Sequence, residues 1–544
     1  MGLISERTAS TQTTQGQDQS TEQTTDQTTG PDIQDLLQRK EHVITNMGGP
    51  DKIEAQHQRG RLTARERILA LLDPGSFMEL GALAHSERSE VAERTPGDGK
   101  IVGLGKIQGR NVGVSADDVT VFHASSAYVG GRKVHRIEEL CYKHGFPLIF
   151  LGECGGGRLP DIMTSSGFPR IAPPLDLVRR NRTVPRLTAI LGESFGGSSW
   201  YAAVSDFVVQ TQGSCLAVSS PRVIEMATGE KVDFEELGGA ALHAIQTGQI
   251  DAVAQDEMDA FACMRHWLSF MPQNAESVPA CSAWDEKYDV FDEELPGLVP
   301  KRRNRGYDMR RLIPRLTDDG DFFELRPDFG PALITALGRV GGRWVGFIAS
   351  NPYFSAGSID AAGCDKATHF TCLCEAFNIP LIFLQDVPGF LVGKDAERAG
   401  IITKILRWFQ ALALATVPKV TIVIRKAYGM ALFSMAGPAC NNDFIYTWPG
   451  ADISFIDPRV GVNVVHGKQI AQAADPDAER ERLLAESPDF DTTPWGAAGH
   501  FHVDDVIDPR ETRAVILRSL DYTCGERFPR PVSERPLLSW PLRL

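Results

Sequence analysis

PLIFLGECGGG at residues 147–157 and PLIFLQDVPGF at residues 380–390 are two versions of one motif. A second pair, TVPRLTAILGESFGGSS at 183–199 and TVPKVTIVIRKAYGMALFSM at 416–435, is offset by the same interval, with no net insertion between the motifs. Two matches at one spacing indicate a duplicated domain rather than recurring strand composition. In each copy an apolar run that follows a proline (Leu148 to Leu151, Leu381 to Leu384) suits a strand buried on both faces and ends in a glycine-containing turn. A second run (Leu187 to Leu191, Val420 to Ile424) leads to Gly196-Gly197-Ser198 or Gly429-Met430-Ala431, which can open a helix. Amides of a first helical turn have no partner within the helix; with those of the glycine turn they supply the donors of an oxyanion hole. The alternative is that these glycines only make tight turns.

The surrounding motifs extend the pattern. QRGRLTARER at 58–67 and LDPGSF at 72–77 precede the first copy, and ATGE at 227–230 with ELGG at 236–239 follow it. DVPGF at 386–390, RKAYG at 425–429 and DDVIDPR at 504–510 belong to the second. On these residues the chain resembles the carboxyltransferase (β) subunits of biotin-dependent acyl-CoA carboxylases, the propionyl-CoA and methylcrotonyl-CoA carboxylase group. The likeness runs from about residue 32 to the end.

The resemblance implies an α/β fold of two tandem crotonase-like (ClpP/crotonase) ββα-spiral domains. The first, at 32–285, would take the acyl-CoA, and the second, at 286–544, the carboxybiotin. It implies that the amides of Gly155 and Gly156, helped by the helix start at Gly197, hold the thioester oxygen, and that those of Met430 and Ala431 hold the ureido oxygen of N-carboxybiotin. Arg132 and Lys133 would lie near the CoA phosphates or form part of a solvated basic face. Arg158 would meet a CoA phosphate or make a structural ion pair. Phe433 stands at the position that tunes acyl-chain choice in the family, or else fills the core.

Several positions depart from the family pattern. His-Ala-Lys-Lys is replaced by Gly130-Gly131-Arg132-Lys133, and Gly-Gly-Ala-Tyr-Asp by Gly429-Met430-Ala431-Leu432-Phe433. The stretch Ile171-Ala172-Pro173-Pro174 also differs and would reshape the acyl pocket. We therefore expect an acyl substrate other than plain propionyl-CoA. A decarboxylase carboxyltransferase, or a non-catalytic scaffold that holds a CoA ester, are the competing readings.

With 544 residues the chain exceeds the size of one core, and its 42% hydrophobic and 23% charged residues are ordinary for a globular protein. A net charge of −14 argues against a general nucleic-acid surface. No apolar run approaches a membrane span, and no charged-then-apolar leader precedes residue 32, which points to the cytoplasm. The ten cysteines are scattered, with Cys372-x-Cys374 the only close pair, so no zinc-ribbon spacing exists and no metal is expected. Cys154, beside the first turn, reads as a small turn residue rather than a nucleophile. Glu153 and Asp386 read as structural rather than as bases. No Met-Lys-Met biotinylation site or ATP-grasp loop occurs, so biotin must arrive on a biotin carboxylase/carrier α-subunit or a separate carrier. By family analogy the chain forms a homohexamer whose active sites lie between subunits.

Residues 1–31, rich in Thr, Gln, Ser and Asp, read as a disordered tail. Helices are expected from Ile33 as a packing helix, over Leu62 to Leu72 with a Thr63/Glu66 capping box, over Ala124 to Leu140, over Met258 to Phe270, and over Ile401 to Leu414 as a buried helix. Strands around Lys100 to Leu104 and Asn111 to Ser115 would form a hairpin about Gly109.

Overall fold

Among the described residues two eight-stranded sheets organise the fold, and the second repeats the first along the chain. The computed structural model describes residues 30–172, 182–278, 290–486, 491–525 and 528–539. The tail, the expected domain boundary near residue 285 and Pro173-Pro174 lie outside them. The chain divides into two compact units: residues 30–172, 184–243 and 253–265 make one, and residues 182–183, 244–252 and 266–539 the other.

The first sheet contains β1 (Met78–Leu80), β2 (Lys100–Ile107), β3 (Arg110–Asp117), β4 (Leu148–Gly155), β5 (Arg186–Phe195), β6 (Phe207–Thr211), β7 (Cys215–Ala217) and β8 (Ala252–Ala254). Their order is β1-β2-β3-β4-β5-β6-β8, with β7 paired to β5. The second contains β9 (Phe322–Leu325), β10 (Leu333–Val340), β11 (Arg343–Ser350), β12 (Leu381–Val387), β13 (Lys419–Tyr428), β14 (Phe444–Thr447), β15 (Asp452–Ser454) and β16 (Asp505–Val506). Here the order is β16-β14-β13-β12-β11-β10-β9, with β15 on β13.

β10, β11 and β13 begin and end at one constant offset from β2, β3 and β5, the same offset that separates the sequence motifs. In both units an antiparallel hairpin passes into parallel pairs, β3-β4-β5 and β11-β12-β13. Parallel strands need a crossover, and the helices Tyr128–His144 and Ala361–Ala376 provide it. Strands covered on both faces must be apolar throughout, and β12 and β13 are buried at every residue.

Local expectations fare unevenly. The helix Ala64–Leu71 carries the Thr63/Glu66 capping box. The hairpin strands are longer than expected. The helix expected from Ala124 starts instead at Tyr128, because Phe122, His123 and Ala124 all take positive φ (47°, 52° and 51°) and cannot continue into it. The helix Pro31–Asn46 forms but buries none of its residues, so it is not the packing helix expected. The helix Ile401–Leu414 buries Trp408, Ala411 and Leu412 yet exposes Ile402 and Leu406, so within the chain only one face is covered.

Candidate active site

Each unit brings two backbone segments together at the ends of its central parallel strands. In the first, β4 ends at Gly155 and turns through Gly156 (φ 100°), while β5 leads through Gly196 (φ 60°) into the short helix Gly197–Ala203. The turns touch closely: a Cβ on Gly196 would sit 3.5 Å from the Gly156 Cα. Ser126 locks the turn, its N–H donating to Gly156 O at 2.7 Å and its carbonyl accepting from Arg158 N at 2.9 Å.

The second unit repeats these bonds at its own matching residues. Ile359 N donates to Gly389 O at 3.2 Å, and Leu391 N donates to Ile359 O at 2.8 Å. Gly389 (φ 135°) and Gly429 (φ 59°) stand where Gly156 and Gly196 stand in the first unit, and the helix Gly429–Ser434 starts at the second junction. Gln385 Nε2 donates to Leu432 O and Met435 O, at 3.3 and 2.7 Å, which anchors that helix to β12.

The donor sets differ. The equivalent of Gly155 is Pro388, which has no N–H to offer. In the first turn the Gly156 N–H is directed at Cys154 Sγ, 3.4 Å away, and the thiol itself donates to Ala124 O at 3.2 Å. Sequence reasoning placed the Gly155 and Gly156 amides together facing a ligand; in the structure the Cys154 thiol, two residues back, engages the second of them. Gly155 is solvent-exposed, and a Cβ there would meet the His123 Cβ at 3.1 Å. Cys154, fully buried, has the turn role expected of it.

The two carboxylates before the turns are both held in ion pairs. Glu153 takes Arg61 at 2.8 Å and the buried Arg67 at 2.6 Å, and Arg67 also pairs with Glu257 at 2.6 Å. Asp386 pairs with Arg425 at 2.8 Å, and burial pushes its pKa up against the pull of Arg425.

The basic candidates separate. Arg158 is buried and bonded to Asp98 at 2.6 Å, with Ser125 O at 3.2 Å, which is the ion-pair alternative. Lys133 points inward, its ammonium donating to Gly97 O at 2.9 Å and Lys100 O at 2.5 Å, and burial pushes its pKa down to about 8. Arg132 lies over the Tyr128 ring at 5.8 Å. A groove of about 370 Å³ lined by Arg132, Lys133, His135 and Arg136 runs along the helix Tyr128–His144. In the second unit a cleft of about 1170 Å³ meets the turn at Ala356 and Pro388 and is lined by Arg302, Arg305, Arg425 and Lys426.

Ala431 is fully buried, whereas Met430 and Phe433 are 37% and 39% exposed. Phe433 therefore does not fill the core. Among the described residues no His/Cys/Asp/Glu cluster could hold a metal, and no helix is long and apolar enough to cross a membrane.

Sequence reasoning missed Lys100, Asp117 and Ser198, which form a buried network under the first turn. Lys100 and Asp117 are directly opposite across the β2–β3 hairpin. Counting outward from its turn at Gln108-Gly109 would have found the pair.

Two sheets of this topology, each with a turn and a helix start at the strand ends, define a tandem crotonase-like protein. Comparison with known proteins gives the narrower class. Residues 55–537 match the carboxyl transferase domain family, and the chain belongs to it. It is 37% identical over 503 residues to the methylmalonyl-CoA carboxyltransferase 12S subunit of Propionibacterium freudenreichii subsp. shermanii, covering 92% of this chain and 95% of that one. It is also 37% identical over 529 residues to the biotin-dependent acetyl-/propionyl-coenzyme A carboxylase beta5 subunit of Mycobacterium tuberculosis (strain CDC 1551 / Oshkosh), covering 94% and 96%. Among solved structures, a transcarboxylase 12S crystal structure described as a hexamer assembly, with methylmalonyl-coenzyme A and methylmalonic acid bound, superposes with a TM-score of 0.85. Its identity is 36%, over 92% of this chain and 96% of that chain.

Proposed function

We propose that the chain is the carboxyltransferase subunit of a biotin-dependent acyl-CoA carboxylase, moving a carboxyl group from N-carboxybiotin to the α or vinylogous carbon of an acyl-CoA. The observation that carries this reading is the turn-and-helix-start junction, built twice in one chain at a fixed spacing. A reaction with two carbonyl groups calls for two sets of fixed donors.

The first junction, with Gly155, Gly156 and Gly197, takes the thioester oxygen of the acyl-CoA, and the close approach of Gly156 and Gly196 leaves backbone rather than side chains at its surface. Fixed amides there stabilise the enolate oxygen without any titrating side chain. A carbonyl at this position competes with Cys154 Sγ, a weak acceptor, for the Gly156 amide. The second junction, with Met430 and Ala431, takes the ureido oxygen of biotin. Bound biotin supplies the carboxyl group; this chain orients it. Residues 32–285 serve the acyl-CoA side and residues 286–544 the carboxybiotin side. Arg132, exposed beside the groove along the helix Tyr128–His144, is the cation offered to a CoA phosphate.

Biotin travels on a biotin carboxylase/carrier α-subunit, and the chain assembles as a homohexamer; mass measurement in solution tests the latter, with a stable monomer counting against it. The compartment is the cytoplasm, in keeping with the nine described cysteines, all unpaired. Because Met430 and Phe433 present large half-exposed side chains where the family has Gly and Asp, the preferred acyl group is branched, longer or functionalised. The test supplies the purified chain with carboxylated biotin carrier and a panel of acyl-CoAs. Transfer to at least one non-propionyl thioester is expected to exceed that to propionyl-CoA; equal or better use of propionyl-CoA than of all the others overturns the selectivity. Absence of transfer to any thioester overturns the carboxyltransferase reading.

A further inference from the structure

Beneath the first junction lies a buried Lys100–Asp117 ion pair whose repeat positions beneath the second hold Leu333 and Ser350. Asp117, the last residue of β3, accepts from Ser198 Oγ at 2.5 Å and from Glu153 N at 3.2 Å through Oδ2, and from Lys100 Nζ at 2.5 Å through Oδ1. Glu153 lies two residues before Gly155 on β4, and Ser198 directly follows Gly197. One carboxylate thus ties together the two backbone segments whose amides would face the thioester.

Lys100 closes the network. Its ammonium also donates to Ala124 O at 2.9 Å and lies 3.9 Å from Cys154 Sγ, so it also contacts the turn side. Burial alone would push its pKa down, but Asp117 above all keeps it above the ordinary lysine value. All three polar residues are buried.

The second unit provides an internal control. At the same repeat positions it has Leu333, Ser350 and Ala431 in place of Lys100, Asp117 and Ser198. Asp386 N donates to Ser350 Oγ at 2.6 Å, the equivalent of the Glu153–Asp117 bond. A serine there holds the strand end, but Ala431 has no side chain with which to tie the helix start. The same backbone therefore forms without the charged pair. Forming this backbone does not by itself call for charges at these positions, and burying them carries a desolvation cost.

We propose that Asp117, neutralised by Lys100, is a positioning residue for the first oxyanion hole, clamping the end of β4 to the Gly197-Ser198 helix start. The inference rests on the carboxyltransferase reading. Donors must be held to within about 0.5 Å of their working positions, and a misplacement of about 1 Å costs roughly 100-fold in rate.

The experiment compares wild type with Asp117→Ser, the double variant Lys100→Leu/Asp117→Ser, and Ser198→Ala, in the carboxyl-transfer assay and in thermal unfolding. Asp117→Ser leaves Lys100 buried without its counter-charge, so it melts earlier and loses activity. The double variant copies a pair that the second unit already uses; its melting temperature recovers, while kcat stays roughly 10- to 100-fold down with KM for the acyl-CoA changed by less than about threefold. Ser198→Ala, with Lys100 and Asp117 still paired, lowers kcat in the same sense with unchanged melting. Recovery of kcat together with stability in the double variant, or full activity of Ser198→Ala, overturns the proposal. A wild-type chain that transfers no carboxyl group to any thioester overturns the functional reading, and this inference with it.

Discussion

The first unit has a Lys100–Asp117 ion pair under its turn where the second has neutral residues, although each also has a buried carboxylate, Glu153 or Asp386, paired with arginine. Under Gly155-Gly156 lie Lys100, Asp117 and Ser198; under Pro388-Gly389 lie Leu333, Ser350 and Ala431. The first turn can draw on an amide at residue 155, where the second has a proline. Even the buried lysines at matching positions differ: Lys133 meets two carbonyl oxygens, whereas Lys366 has one, Arg326 O at 3.1 Å. What both units share is the ladder of strands, the left-handed turn before the crossover helix, and the pair of bonds across the glycine turn. The frame is set by burial pattern and backbone hydrogen bonds; the polar residues beneath it differ from one unit to the other.

Removing a buried cation should give the largest effect. Arg67 stands between Glu153 and Glu257, and Arg67→Ala removes the one buried cation that both share, leaving Glu153 with Arg61 and Glu257 with the Leu62 N–H. Chemical denaturation should show a loss of about 3–5 kcal/mol. Arg425→Ala should cost less, because it takes a cation from one carboxylate rather than two and Lys426 remains 3.8 Å from Asp386. Equal losses would mean that the two units are supported in the same way after all.

Next in size is strain at the helix start. Gly196 has φ 60° and ψ −118°, a region closed to residues with a Cβ. Gly196→Ala should lower kcat roughly 100-fold by shifting the Gly197 amide. Gly429→Ala tests the second junction, where the added Cβ would meet Phe455 O at 3.1 Å. If only one substitution impairs transfer, only one junction acts through its helix start.

The lysine pair sharpens the comparison through pH. Burial pushes Lys366 down to about 7 and Lys133 to about 8, both below the unfolded value of 10.5. A lysine whose folded pKa is depressed binds fewer protons folded than unfolded between those two values, so stability rises with pH across that window and is flat below it. The rise should begin near pH 7 for Lys366 and near pH 8 for Lys133. Lys366→Met should stabilise the protein by about 1–2 kcal/mol at pH 7, with the gain shrinking toward pH 10. Urea titrations at several pH values measure this, and a pH-independent gain would contradict it.

The smallest expected effect is at Phe433. Since its side chain is half-exposed, Phe433→Ala should alter stability by less than about 1 kcal/mol, while changing the kcat/KM ratio between long and short acyl-CoAs by up to about 10-fold.

The duplication was legible because strands covered on both faces tolerate few residue types, so two copies retain recognisable apolar runs such as PLIFL. The capping box at Thr63 and Glu66 was legible because its two bonds depend only on a three-residue spacing. The start of the crossover helix was not, since nothing local marks three consecutive non-glycine residues at positive φ. Nor could local patterning show which way the Gly156 amide faces, because that follows from where the Cys154 thiol lies in three dimensions. Arg158 and Lys133 carried charges that suggested phosphate binding, yet both are turned inward to partners distant in sequence, Asp98 and the carbonyl oxygens of Gly97 and Lys100.

The fixed spacing between the copies has an evolutionary consequence. A complex assembled from two identical single-domain chains would have to recognise both ligands with one set of side chains, since each mutation would appear in both places at once. Fusing the copies in one gene removes that coupling: Lys100 can be gained without imposing a lysine at 333, and a proline accepted at 388 without losing the amide at 155.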